Sequence, residues 1–129
     1  MLPFSVTLRP ALPVQEQVTF AVTRAVVSGQ LRAGDAFPSV RTLSRELRIN
    51  PNTAHRIVAS LVDDGLLEVR PGIGTVVSPL RPGSAAERRA VLDVDIERLV
   101  VGARRAGIGL QEAIAALRRH WTATTPEDR

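Results

Sequence analysis

The chain has 129 residues, enough for one domain with an appendage and too few for two full domains. With 44% hydrophobic residues it can pack a core, and with no cysteine it has no disulfide framework, thiol nucleophile or thiolate metal site. Its 17 basic residues, all arginine, stand against 13 acids, and the net charge of +4 suits a nucleic-acid partner without proving one.

No apolar run approaches the roughly 18 residues of a membrane-crossing helix, and the start MLPFSVTLRP lacks a basic stretch followed by an apolar one. The expectation is a cytoplasmic protein with no membrane partner. Phe4–Leu8 alternate in polarity and predict a short strand, stopped by Pro10 and Pro13. Pro13 suits the first turn of a helix, where its missing N–H costs nothing. Val14, Val18, Ala21, Val22, Ala25 and Val26 then recur at helical spacing until Gly29. Gly29–Pro38, with Gly34-Asp35, reads as a tight connection.

A second helix is predicted from a cap at Ser39, with Val40, Leu43 and Leu47 on its buried side. A third begins at Asn50-Pro51-Asn52-Thr53, an Asn cap followed by Pro at the first helical position. It turns Ala54, Ile57, Val58, Leu61 and Val62 inward and Asn52, Thr53, His55, Arg56 and Ser60 outward, and it ends at Gly65. Leu66–Arg70 and Thr75–Ser78 are β-prone runs joined by Pro71-Gly72-Ile73-Gly74, a hairpin. A linker is expected over residues 79–85, so the first domain is placed at 1–78. Two apolar helical stripes follow, Leu92, Ile96, Leu99, Val100 and Ala103, then Leu110, Ala113, Ile114, Leu117 and Trp121, broken at Gly107-Ile108-Gly109. Residues 86–121 form a helical hairpin too small to cover its own apolar faces. Their expected role is dimerisation through Leu92, Ile96, Leu99, Val100, Ala103, Leu110, Ile114, Leu117 and Trp121. Residues 122–129 are a frayed tail.

The fold class that results is mainly α with a small β-wing: a winged helix-turn-helix plus a C-terminal two-helix dimerisation hairpin. The turn Leu47–Asn50 is as short as the 3–4 residues that join such paired helices. The second helix of such a pair meets the major groove through its N-terminal residues. Asn52 can give adenine two hydrogen bonds, Arg56 can fork onto guanine or phosphate, and Thr53 serves either. Charge does not choose between the two parts of the chain, since residues 1–78 carry 8 arginines against 6 acids and residues 79–129 carry 9 against 7. Placement has to decide.

From Pro13 to Val77 the chain resembles the GntR family of bacterial regulators. The resemblance rests on Ser28-Gly29-Gln30-Leu31-Arg32-Ala33-Gly34-Asp35, Phe37-Pro38-Ser39-Val40-Arg41, Asn50-Pro51-Asn52-Thr53, Asp64-Gly65-Leu66-Leu67-Glu68 and Arg70-Pro71-Gly72-Ile73-Gly74-Thr75, in that order. The Asn-Pro-Asn-Thr form and the short helical tail are most similar to the YtrA-type branch. The resemblance implies a base or phosphate contact by Arg41, recognition through Asn52, Thr53 and Arg56, and a wing tip whose Gly72 approaches the minor groove. With Ser39, Asn50, His55, Arg70, Gly74 and Thr75, these make the candidate DNA-binding set. The resemblance also implies a homodimer paired through its C-terminal helices and, for many members, repression of neighbouring transporter genes. A dimer would set its recognition helices about 34 Å apart on double-stranded operator DNA.

Two positions depart from the family pattern. The turn glycine is replaced by Arg48, which costs about 1 kcal/mol if the backbone there is left-handed. Either a phosphate contact offsets that cost or the turn is shaped differently. The wing has Ile73 where a basic residue is usual, so its electrostatic contribution is expected to be weak.

Blander roles stay open at several of these positions. Arg41 on spacing alone is equally a solvated helix residue, and Asn52 and Thr53 fit first-turn capping. His55 fits an idle surface histidine as well as a DNA contact, and Gly72 and Gly74 are turn glycines whatever else they do. Arg104 and Arg105 read as solvent-facing. A protein-interaction module on the same scaffold would want an apolar or acidic recognition face, and this one is polar to basic. Catalysis is rejected: His55 and His120 are far apart in sequence, and the adjacent Asp63 and Asp64 point to different faces. The glycine-rich wing lacks both the spacing and the Lys of a nucleotide loop. No cofactor or metal is expected, and whether a small-molecule effector exists is left open.

Overall fold

The structure, a computed structural model, describes residues 1–126. They form two compact units: residues 1–80 joined by Thr125 and Pro126, and residues 81–124. The first unit runs α1 (Val14–Val27), α2 (Val40–Leu47), α3 (Pro51–Asp63), β1 (Leu67–Arg70) and β2 (Gly74–Val77). The strands are antiparallel, with Leu67 opposite Val77 and Arg70 opposite Gly74. This is a winged helix-turn-helix.

Its core follows from helical periodicity. Val18 and Val22 of α1, Leu43 of α2, Ile57 and Leu61 of α3, and Leu67 and Val77 of the wing are fully buried together. Among the described residues the core contains no buried polar or charged side chain. At α1 Pro13 is the capping residue itself rather than part of the first turn. At α2 the Ser39 oxygen accepts the Thr42 N–H at 3.1 Å, and at α3 the Asn50 Oδ1 accepts the Asn52 N–H at 2.8 Å. Both caps satisfy donors that the first turn leaves open.

The strand expected at Phe4–Leu8 does not form. Its alternation is one of burial only: Phe4 is buried and stacks on Phe37 with ring centroids 5.8 Å apart, and Val6 and Leu8 are half-buried. A strand needs a neighbour's main chain, and here side chains hold the backbone instead. The Arg24 guanidinium donates to the Ser5 carbonyl at 3.3 Å. The Gln17 amide accepts from the Arg9 N–H at 2.7 Å and donates to the Arg9 and Leu12 carbonyls.

The connection before α2 is more than a turn. Gly34 N–H donates to the Val77 carbonyl at 2.8 Å, Val77 N–H to that of Asp35 at 2.8 Å, and Phe37 N–H to that of Thr75 at 2.9 Å. Residues 34–37 therefore lie along β2, with Ala36 bridging Val76.

Helix ends α2, α3 and α5 (Ile96–Arg105) close in one way, with a left-handed residue after the helix and paired bonds back to its last carbonyls. After α3 the left-handed residue is Gly65, with Gly65 N–H on Val62 and Leu66 N–H on Leu61. After α5 it is Gly107, with the equivalent bonds to Arg104 and Ala103. After α2 it is Arg48, at φ 54 and ψ 49, with bonds to Arg45 and Ser44. Arg48 is the one non-glycine residue with positive φ among those described, so the helix-turn-helix turn has the shape that glycine favours and arginine occupies it at a cost of about 1 kcal/mol.

The second unit begins at α4 (Ala85–Arg89), capped reciprocally by Ser84 and Glu87. It continues through a π-helical turn (Ala90–Asp95) into α5 with helical dihedrals at both junctions. The single apolar stripe from Leu92 to Ala103 thus crosses a change of helical pitch that its spacing does not announce. After the turn at 106–109, α6 (Leu110–Ala123) extends two residues past Trp121, so the expected tail starts later. Thr124 closes that helix by donating from its N–H and hydroxyl to the His120 and Trp121 carbonyls. The last three residues of the expected tail, 127–129, lie outside the described residues. No described residue of the second unit is buried. No helix among the described residues is long and apolar enough to cross a membrane.

Candidate nucleic-acid interface

The exposed surface of α2 and α3 gathers seven of the expected DNA-facing residues. Ser39 and Asn50 cap the two helices, so their side-chain oxygens already hold main-chain donors. Arg41 is exposed in the first turn of α2; Asn52, His55 and Arg56 are exposed on α3, and Thr53 is half-buried. At the start of α3, Pro51 has no N–H, the Asn52 N–H is taken by Asn50, and the Ala54 N–H by the Asn50 carbonyl at 3.0 Å. That leaves the Thr53 N–H as the amide facing out of the helix end, the geometry in which a helix N-terminus meets a phosphate.

The remaining candidates lie on the wing. The Arg70 carbonyl accepts the Ile73 N–H at 3.0 Å, closing a four-residue turn. Pro71 and Gly72 occupy its centre, and the φ of +77° at Gly72 is the one a type II turn requires there. Thr75 is half-buried and uses its carbonyl to hold Phe37. The Arg70 guanidinium forks onto Glu68 Oε1 at 2.8 and 3.1 Å in an exposed ion pair. At the tip Ile73 is 71% exposed. The wing therefore presents an apolar tip beside a neutralised arginine, consistent with a weak electrostatic share.

The helix-turn-helix carries the opposite balance. Arg41, Arg45, Arg48 and Arg56 are all exposed, and no ion pair engages any of them among the described residues. The one acid within α2, Glu46, is turned to the Met1 ammonium at 2.9 Å, which holds its carboxyl below the usual carboxylate range by hydrogen bond and charge. Arg45 was not among the expected contacts. The signal for it was its spacing of four from Arg41, which puts the two on one helix face.

In the second unit, Ile96, Leu99, Val100 and Ala103 of α5 line one side of an apolar groove of about 490 Å³, and Leu110, Ile114 and Leu117 of α6 line the other. Leu92 and Trp121 lie outside that lining, both exposed. Arg104 and Arg105 are exposed, and Arg104 stands at the edge of the groove.

Residues 14–77 match the model of the gntR family of bacterial regulatory proteins. The transcriptional regulator Rv1152 of Mycobacterium tuberculosis is 31% identical over 81 residues, 63% of this chain and 67% of that one. The chain belongs to the gntR family. It is a DNA-binding transcription regulator. The transcriptional repressor YtrA of Bacillus subtilis is 28% identical over 105 residues, 81% of each chain. A crystal structure described as a transcriptional antiterminator from Listeria monocytogenes superposes with a TM-score of 0.82 over 98% of this chain and 95% of that one. At 20% identity that likeness speaks for the fold alone.

Proposed function

We propose that this gntR-family regulator is a repressor that binds a two-fold symmetric operator as a homodimer. The observation that carries the dimer is the second unit: two helices whose apolar faces border an open groove, with no described residue buried. Exposed apolar surface of that kind is the mark of an interface, and a second copy offers the same surface in return. Repression is favoured by the similarity to the YtrA repressor along four-fifths of both chains. In this reading Arg41, Asn52, Thr53, His55 and Arg56 touch the DNA, and the wing contributes through Gly72 and its neighbours. The two recognition helices read half-sites about 34 Å apart.

The test is a titration of the protein against the DNA upstream of its own gene at several salt concentrations. Random DNA and the Arg41→Ala and Arg56→Ala variants run alongside. Removing a side chain that touches a base should cost about 1–3 kcal/mol on the operator only, and removing one that touches a phosphate should flatten the salt slope by about 1 on any DNA. A stoichiometry of two chains per site supports the dimer. Failure of the wild type to bind any DNA at low salt would sink the reading and favour a protein-interaction role for the α3 face.

A further inference from the structure

Two features of α2, at Arg41 and Arg48, break local rules in the free protein, and Arg45 stands between them. Arg41 sits in the first turn of the helix, where the macrodipole disfavours a cation, and no acidic residue shares that turn. Arg45 follows it at four residues, where like charges repel, although its place in the last turn suits the macrodipole. Arg48 holds the left-handed position after the helix, where the same chain places Gly65 and Gly107 at the equivalent ends of α3 and α5. Local rules broken together at one place mark a site whose compensation lies in function.

The compensation has a shape. Arg41, Ser44 and Arg45 line a surface hollow of about 520 Å³ together with Val40 and Pro51, the first residue of α3. Two guanidinium-bearing residues thus border a space at the junction of α2 and α3, while the Ser44 hydroxyl donates to the Ile49 carbonyl at 2.7 Å. Arg48 lies two residues before the Asn50 cap of α3 and is exposed. Among the described residues no ion pair engages Arg41, Arg45 or Arg48, and Glu46 is paired with the Met1 ammonium. An anion is what such a face lacks, and the anion that a DNA-binding regulator meets in this position is the backbone phosphate.

We infer that Arg45 and Arg48 are phosphate-binding residues: Arg45 shares one phosphate with Arg41 in the hollow, and Arg48 takes another beside it. The contacts are sequence-independent and fix the register of α3 in the groove. This inference rests on the operator-binding reading above.

The test compares wild type, Arg45→Ala, Arg48→Gly and Arg119→Ala on operator and on random DNA across a salt series, with thermal unfolding of each. Arg119, exposed on α6 and outside the groove lining, controls for the loss of one positive charge. Arg45→Ala and Arg48→Gly should each flatten the log–log salt slope by about 0.9 and weaken both DNAs alike, with Arg119→Ala unchanged. Arg48→Gly should do so while melting no lower than wild type, a combination that a merely structural role for Arg48 would not produce. Wild-type slopes in both variants would overturn the inference and leave operator binding standing. A weakening confined to the operator would overturn it too, since that is the mark of base recognition. No DNA binding by the wild type at low salt would remove both readings.

Discussion

The two units of this chain are built from similar aliphatic residues and treat them in opposite ways. In the first, three helices and a small wing close over their apolar faces, and every buried residue of those described lies between Phe4 and Val77. In the second, Leu99 is 49% exposed, and Leu110 and Trp121 are each 72% exposed, on helices whose apolar residues recur at regular spacing. Apolar periodicity therefore does not distinguish the units. What distinguishes them is whether a second layer exists to bury the stripe within the same chain. Burial contributes about 25 cal/mol per Å² of apolar surface, so the first unit is stabilised by its own core. The proposed dimer would supply the second from outside.

The largest effect expected from this contrast is in the core. Leu61→Ala, at a position fully out of solvent, should destabilise the first unit by about 2–5 kcal/mol, by an amount that does not depend on protein concentration in urea unfolding. A smaller and different effect is expected in the second unit. Leu99→Asp puts a charge in the proposed interface and should raise the dimer dissociation constant about a hundredfold, roughly 2–3 kcal/mol, in sedimentation equilibrium. It should also abolish any rise of the melting temperature with concentration while leaving the first unit folded. Wild-type association in that variant would end the contrast. The smallest effect tests the first unit alone. Arg48→Gly relieves the left-handed arginine and should stabilise it by about 1 kcal/mol, roughly 4–8 °C in melting temperature.

Much of this was legible in the sequence because the deciding physics is local. Ser39, Asn50 and Pro51 announce their helix starts by chemistry that acts within three residues, and the inward faces of α1 to α3 follow from spacing alone. The strand expected at Phe4–Leu8 shows the limit of that logic. Alternation records which side chains are covered, whereas a strand also requires a partner main chain, and the bonds from Gln17 and Arg24 took that place. The π-helical turn at Ala90–Asp95 was hidden for a related reason, since six residues of altered pitch still leave the stripe from Leu92 to Ala103 readable as one. Arg45 gave little signal because two arginines four apart on a polar helix face are ordinary until the hollow they share with Pro51 is seen.

The docking of residues 34–37 along β2 has a mechanical consequence. The main-chain bonds that clamp this segment to the wing end at Phe37, and Ser39, the cap of α2, is two residues further on. The wing and the first helix of the helix-turn-helix are therefore joined by a short, tethered strut rather than a slack loop. A sideways load on the wing tip is borne by α2 as well as by the hairpin. In the proposed complex, fitting one to the DNA backbone would go far toward aligning the other.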